Sequence, residues 1–141
     1  MIYRLALLVL TLSFLPLFGE GIVPPLVKVE AKVLPAAFDG SKALDPMVIS
    51  TQEDVEKVFA KEGVAALMKQ VNLEEQVVVL FAWRGSGHDR MEAQIAESFP
   101  EQVTFLYSPG LTRDLRSHVQ VYALRKNVKW SVKAAPSRGF R

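Results

Sequence analysis

Cysteine is missing from this chain altogether. Its absence excludes disulfides, thiolate catalysis, thiolate metal sites and lipid attachment through an N-terminal cysteine. Histidine is nearly missing too, with only His88 and His118 present. Any metal centre would therefore have to combine them with Asp or Glu. No apolar run reaches the roughly 20 residues of a membrane-spanning helix; the run over residues 5–18 is broken by Thr11, Ser13 and Pro16. Acidic residues are scarce in one region only. Residues 111–141 hold eight Lys/Arg against the single acid Asp114, whereas residues 20–110 hold eight against fourteen acids. The formal charge of +2 thus conceals a basic end on an acidic body. Aromatic residues for base stacking do not alternate with the basic ones, so no nucleic-acid partner is expected. The charge pattern fits basic strands lying beside acidic segments within one fold.

What is present is enough for one core. Half of the 141 residues are hydrophobic and 23% are charged, a balance suited to a single globular domain. Residues 1–21 read as a secretory signal peptide: Arg4 first, the apolar segment 5–18, then the small residues Gly19 and Gly21. Export to the periplasm or the exterior follows. Membrane contact is expected only if that segment stays uncleaved as an anchor. The expected organisation is a signal peptide over 1–21, one domain over 22–133, and a flexible basic tail over 134–141.

Within the domain, residues 26–34 alternate, with Val27, Val29, Ala31 and Val33 on one face and Lys28, Glu30 and Lys32 on the other. That is the pattern of a half-buried antiparallel strand. A turn-rich loop follows over 35–46, and Met47 to Ile49 form a short strand. Ser50-Thr51-Gln52-Glu53 has the form of a capping box. Val55, Val58 and Phe59 then recur at helical spacing; Gly63 either ends this helix or is passed by a second turn ending at Val71. Residues 77–83 are a continuous apolar run long enough for a core strand, and it stops at Arg84 and the turn Gly85-Ser86-Gly87-His88-Asp89. Further strands alternate around Met91, Ala93 and Ile95, around Val103, Phe105 and Tyr107, around Val119, Val121 and Ala123, and around Val128, Trp130 and Val132. Lys126-Asn127 suits a tight hairpin between the last two. The pattern predicts an α+β fold: an antiparallel sheet of about five strands in a meander, with one packed amphipathic helix.

Three further segments carry a family likeness. Residues 50–59 read S-T-x-E-D-x-x-K-x-F, residues 71–79 read V-N-L-E-E-Q-V-V-V, and a Gly-rich turn is followed by a strand ending in Pro109-Gly110. This order resembles the PrcB-like C-terminal domain, a bacterial extracytoplasmic module named for a subunit of a surface protease complex. F-A-W-R-G-S-G-H-D, P-G-L-T-R-D-L-R-S-H and Y-A-L-R-K-N-V-K-W are similar to stretches of short exported bacterial proteins without known activity. The likeness spans residues 48–132. It departs from the family at Val71-Asn72-Leu73, where V-D-F is usual, and at His88, where a glycine is usual. The resemblance implies a non-enzymatic domain that stabilises or docks a partner, and it transfers no catalytic residue.

Chemistry-bearing residues cluster in two places. Ser86, His88 and Asp89 are triad types, yet a triad needs hydroxyl, imidazole and carboxylate in line, which four successive turn positions do not provide. Arg84-Gly85-Ser86-Gly87-His88 does not match the Gly-x-Ser-x-Gly elbow. Ser86 with His118 and Asp114 could meet only through tertiary structure, which leaves a small extracytoplasmic serine hydrolase as the alternative function. His88, Asp89, Asp114 and His118 have zinc-ligand chemistry, but Arg84, Arg90, Arg113 and Arg116 would repel a cation, so no metal is assigned. Anion binding suits the residues better. In a strand, Asp114, Arg116, His118, Gln120 and Tyr122 form a polar stripe opposite the apolar Val119, Val121 and Ala123. Arg84 and the amides of the glycine turn could converge on it around a carboxylate or phosphate. The competing role is internal, with Asp89 or Asp114 pairing with Arg84 or Arg116 to lock the turn. The candidate binding residues are accordingly Arg84, Ser86, His88, Asp89, Arg113, Asp114, Arg116 and His118. The expected function is an exported, non-catalytic binding or complex-stabilising module, with no cofactor and with an extracytoplasmic protein or an anionic ligand as partner.

Overall fold

The computed structural model describes residues 22–136. The expected signal peptide, 1–21, and the tail from residue 137 onward lie outside the described residues. Among the described residues, seven strands form two sheets, not one. The first sheet has the order β1-β6-β3-β2, from β1 (Leu26–Val29), β6 (Arg116–Arg125), β3 (Gln76–Gly85) and β2 (Met47–Ile49), all antiparallel. The second has the order β4-β5-β7, from β4 (Arg90–Ala96), β5 (Gln102–Ser108) and β7 (Lys129–Ala134). Two short helices, α1 (Gln52–Val58) and α2 (Lys61–Gln70), and a 3-10 turn at Pro35–Phe38 complete the domain.

The expectation of a single five-stranded sheet with one helix is therefore overturned, and so is the meander. β3 pairs along its whole length with β6, not with its sequence neighbour β4. β5 and β7 run parallel. The turn at Lys126-Asn127, closed by a bond from the Val128 N–H to the Arg125 carbonyl, moves the chain from one sheet to the other rather than closing a hairpin. Alternation within a segment tells which residues share a face, but not which strand lies alongside.

The long apolar run of β3 has a direct physical cause: both of its faces are buried. Val78, Leu80 and Ala82 point into a core closed by Val55, Phe59 and Leu67 of the helical segment. Val79, Phe81 and Trp83 point into a second core, between the sheets, with Met91, Val103, Phe105, Tyr122 and Leu124. The result is three layers: helices, four-stranded sheet, three-stranded sheet. β6 is also covered on both faces, but only over residues 121–124. Val121 and Ala123 face the helices, while Tyr122 and Leu124 face the second sheet. The polar stripe expected on β6 is therefore interrupted, because Tyr122 belongs to the core.

The helical region divides at Phe59 and Ala60. Thr51, not Ser50, caps α1, its hydroxyl accepting the Asp54 N–H at 3.2 Å. Phe59 leaves the helix to bridge Val33, and the Ala60 N–H reaches the Lys32 carbonyl at 3.0 Å. Gly63 does not end a helix but lies buried within α2. A Cβ there would come within 2.2 Å of the Lys32 carbonyl oxygen, so glycine permits the close approach. The alternation read over residues 26–34 places its apolar side correctly, for Val27, Val29, Ala31 and Val33 all pack on the helix-side core. Only the first four of those residues are strand. At the opposite end of β6 from the glycine turn, Arg125 ties three segments together. Its guanidinium donates to the Val23 carbonyl at 2.9 Å and the Glu101 carboxylate at 2.6 Å, and its Nε reaches Asn127 at 2.7 Å.

Candidate functional site

The turn between β3 and β4, residues 86–89, meets the loop 109–115 that leads into β6. Register brings them together: Gly85 lies opposite Arg116 and Trp83 opposite His118 in the β3–β6 ladder, while Arg90 lies opposite Ser108 in the β4–β5 ladder. Both sheets thus deliver their chain ends to one pole.

Asp89 is the hub. Its carboxylate accepts the Gly110 N–H at 2.7 Å, the Trp83 indole N–H at 3.0 Å and the Tyr107 hydroxyl at 3.0 Å. Burial by itself would raise its pKa, but the donors from Gly110, Trp83 and Tyr107 favour the charged form and hold it below the usual carboxylate value. Tyr107 moves the other way: burial, then the neighbouring carboxylate, raises its hydroxyl above the ordinary phenol range. Trp83 also stacks on His118, with ring centroids 4.9 Å apart and planes within 15°, and meets Tyr107 edge-on.

The second carboxylate, Asp114, is engaged just as fully. It accepts the Thr112 hydroxyl, the Gly87 N–H at 3.0 Å and Arg116 Nε at 2.7 Å. The Thr112 hydroxyl first, then the Gly87 amide and Arg116, lower its pKa well below the usual range. The Ser86 hydroxyl contacts the Thr112 hydroxyl and accepts the Thr112 N–H at 3.2 Å and the His88 N–H at 3.3 Å. His118 Nε2 lies 2.7 Å from the Ser86 carbonyl oxygen. A carbonyl only accepts, so that nitrogen carries the hydrogen and donates.

No protein-family model, curated protein or solved structure matches this chain. The chemistry of the pole must therefore be read from its own geometry.

Of the eight candidate residues, the fold gathers Ser86, Asp89, Asp114, Arg116 and His118 into one network. Arg84 is not among them. The alternation of β3 turns it to the helix side, where its guanidinium sits 5.7 Å from the Phe38 ring centroid. The side chains of His88 and Arg113 are exposed to solvent. Among the described residues no three His, Asp or Glu side chains come together to hold a metal ion. Of the internal pairings considered from the sequence, Asp114 with Arg116 forms, whereas Asp89 is satisfied by the neutral donors Trp83, Tyr107 and Gly110.

The residues that the sequence reading left out are Trp83, Tyr107, Gly110 and Thr112. The first two looked like packing residues, and their polar tips are what Asp89 uses. A signal was present in Pro109-Gly110. Gly110 sits where a Cβ would come within 2.6 Å of the His88 carbonyl carbon and 2.8 Å of the Asp89 nitrogen. Those are backbone atoms that cannot rotate away, so Gly110→Ala must push the loop off the turn. The expected cost is about 1–3 kcal/mol, read as a lower urea midpoint with an unchanged m-value.

Proposed function

We propose that this chain is an exported, non-catalytic module that docks onto or stabilises another protein through the loop 109–115. The observation that carries the reading is the pairing of exposure with rigidity in that loop. Leu111 and Leu115 are 88% and 76% exposed, yet the residues between them are held to the turn by the Gly87–Asp114 and Thr112–Ser86 bonds, and Asp114 is also tied to Arg116 at the start of β6. Two apolar side chains held out from a braced loop form a preorganised contact. A partner that covers them gains burial without having to order the loop. Arg113, between the two leucines, adds a charge that suits a carboxylate beside an apolar pocket, so the partner is an extracytoplasmic protein presenting both.

The composition of residues 1–21 supports export, and the order of motifs resembling the PrcB-like domain supports a docking role. A serine hydrolase finds little support in this geometry. His118 donates to the Ser86 carbonyl rather than facing its hydroxyl, and both nearby carboxylates are occupied by other donors.

A photo-crosslinking residue placed at Leu111 tests the reading in the native cell envelope. One defined adduct is expected from position 111 and none from the exposed Glu56 on α1, with the adduct lost on Leu115→Asp. No adduct beyond the Glu56 background, or fluorophosphonate labelling of the chain that disappears in Ser86→Ala, would overturn it.

A further inference from the structure

We infer that β4 is a self-association edge, on which a second copy of this chain pairs antiparallel to join the two three-stranded sheets into one of six strands. An open sheet edge presents unpaired N–H and C=O groups that template another strand, and folded proteins normally blunt such edges. Among the described residues, three of the four outer strands are blunted. β1 has four residues and follows Pro24-Pro25, β2 has three and follows Pro46, and β7 carries Lys129 and Lys133. β4 is the exception, because its two charges, Arg90 and Glu92, are of opposite sign, whereas those of β7 are both positive. It has seven residues, R-M-E-A-Q-I-A, with no proline, lysine or bulge, and every one of them is in unbroken register with β5. Alternate residues of a strand direct their backbone groups to opposite edges. Among the described residues, β4 makes one backbone hydrogen bond outside its ladder with β5, from the Ser98 N–H to the Ala96 carbonyl at its very end.

The side chains select a second copy as the occupant. In a two-fold antiparallel pairing centred on Ala93, Met91 lies opposite Ile95 of the other copy, Glu92 opposite Gln94, and Arg90 opposite Ala96. No like charges face each other, and the apolar residues meet on the face that already lines the inter-sheet core. Met91 and Ala93 pack in that core, but Ile95, on the same face, is 47% exposed in the single chain. The pairing covers it from both sides of the axis. Such an interface is isologous and uses one patch twice. Its small area makes the dimer reversible and concentration-dependent. The inference is independent of the docking loop, because neither Leu111 nor Leu115 lies on β4.

Sedimentation velocity on the purified chain, up to the millimolar range, is expected to show a monomer–dimer equilibrium. Ile95→Lys, a partly exposed position where an inward-pointing charge is tolerated, should raise the dissociation constant at least about tenfold with an unchanged far-UV spectrum. Leu111→Asp should leave it unchanged. Because the chain has no cysteine, a single Ala93→Cys reports the axis directly. Mild oxidation should link it to its own symmetry mate, whereas Ala96→Cys should stay monomeric on a denaturing gel. A monomer at every concentration, a dimer indifferent to Ile95→Lys, or equal crosslinking at positions 93 and 96 would overturn the inference.

Discussion

Asp89→Ala is expected to destabilise the domain by about 2–4 kcal/mol, lowering the melting temperature by roughly 10 °C. Three donors converge on that carboxylate, from Gly110, Trp83 and Tyr107. The Trp83 side chain is almost wholly buried, so removing the acceptor strands a buried indole N–H rather than releasing it to water. Hydrogen bonds to a charged acceptor are stronger than neutral ones, and partial exposure of the carboxylate keeps the expected value below the sum of three. Asp89→Asn retains one acceptor oxygen and should lose less. The stacking of His118 on Trp83 gives a second readout, since freeing the indole should change the near-UV circular dichroism of the tryptophan.

The same carboxylate makes stability depend on acid. Its pKa is depressed in the folded chain, so the unfolded chain binds protons more readily. Stability from this group is then fully present above the unfolded value of about 4, and it is lost as pH falls through the lower folded value. Urea denaturation of the wild type at pH 7 and near pH 3 should show that loss. Asp89→Asn, with no proton to take up at this position, should show a shallower decline. Asp114 is depressed in the same direction by Thr112, Gly87 and Arg116, so some acid sensitivity remains in the variant.

Phe105→Ala is the second substitution with a large expected effect, about 3–5 kcal/mol. Phe105 is fully buried between the sheets and packs on Phe81 at a centroid distance of 4.8 Å, on Tyr122 at 5.0 Å and on Trp130 at 6.2 Å. It therefore joins β3 and β6 of one sheet to β5 and β7 of the other. Small domains are stable by only about 5–15 kcal/mol, so this one change would remove a large share. The expected readout is a urea midpoint far below that of the wild type, with binding of a hydrophobic dye at intermediate denaturant as the sheets separate. Leu67→Ala, in the helix-side core, should destabilise the domain without that inter-sheet signature.

Part of this was legible in the residues. The run 77–83 announces a strand buried on both faces, and β3 is buried in that way. The alternations at Val27, Met91, Val103 and Val128 pick out faces that do line a core. A strand's side-chain period is fixed by its own backbone, so this information is local. The turn after β3 is equally local, being written in two glycines and a polar run, and it is where the pole forms.

Pairing was not local. Whether β3 lies beside β4 or β6 depends on bonds across some forty residues, and alternation is identical in either arrangement. For that reason one meander was expected where two sheets stand. The role of Asp89 was hidden for the same reason. Its partners come from β3, β5 and the loop beyond β5, and nothing in the neighbourhood of residue 89 names them. The sequence by itself determined a cysteine-free domain with strands, one of them a core strand over 77–83, and a glycine turn rich in polar side chains. Only the tertiary structure decided that the carboxylates of that pole are spent on holding it, while the side chains of His88, Leu111, Arg113 and Leu115 stay exposed. A carboxylate's function depends on which donors reach it, and donors are brought by the fold.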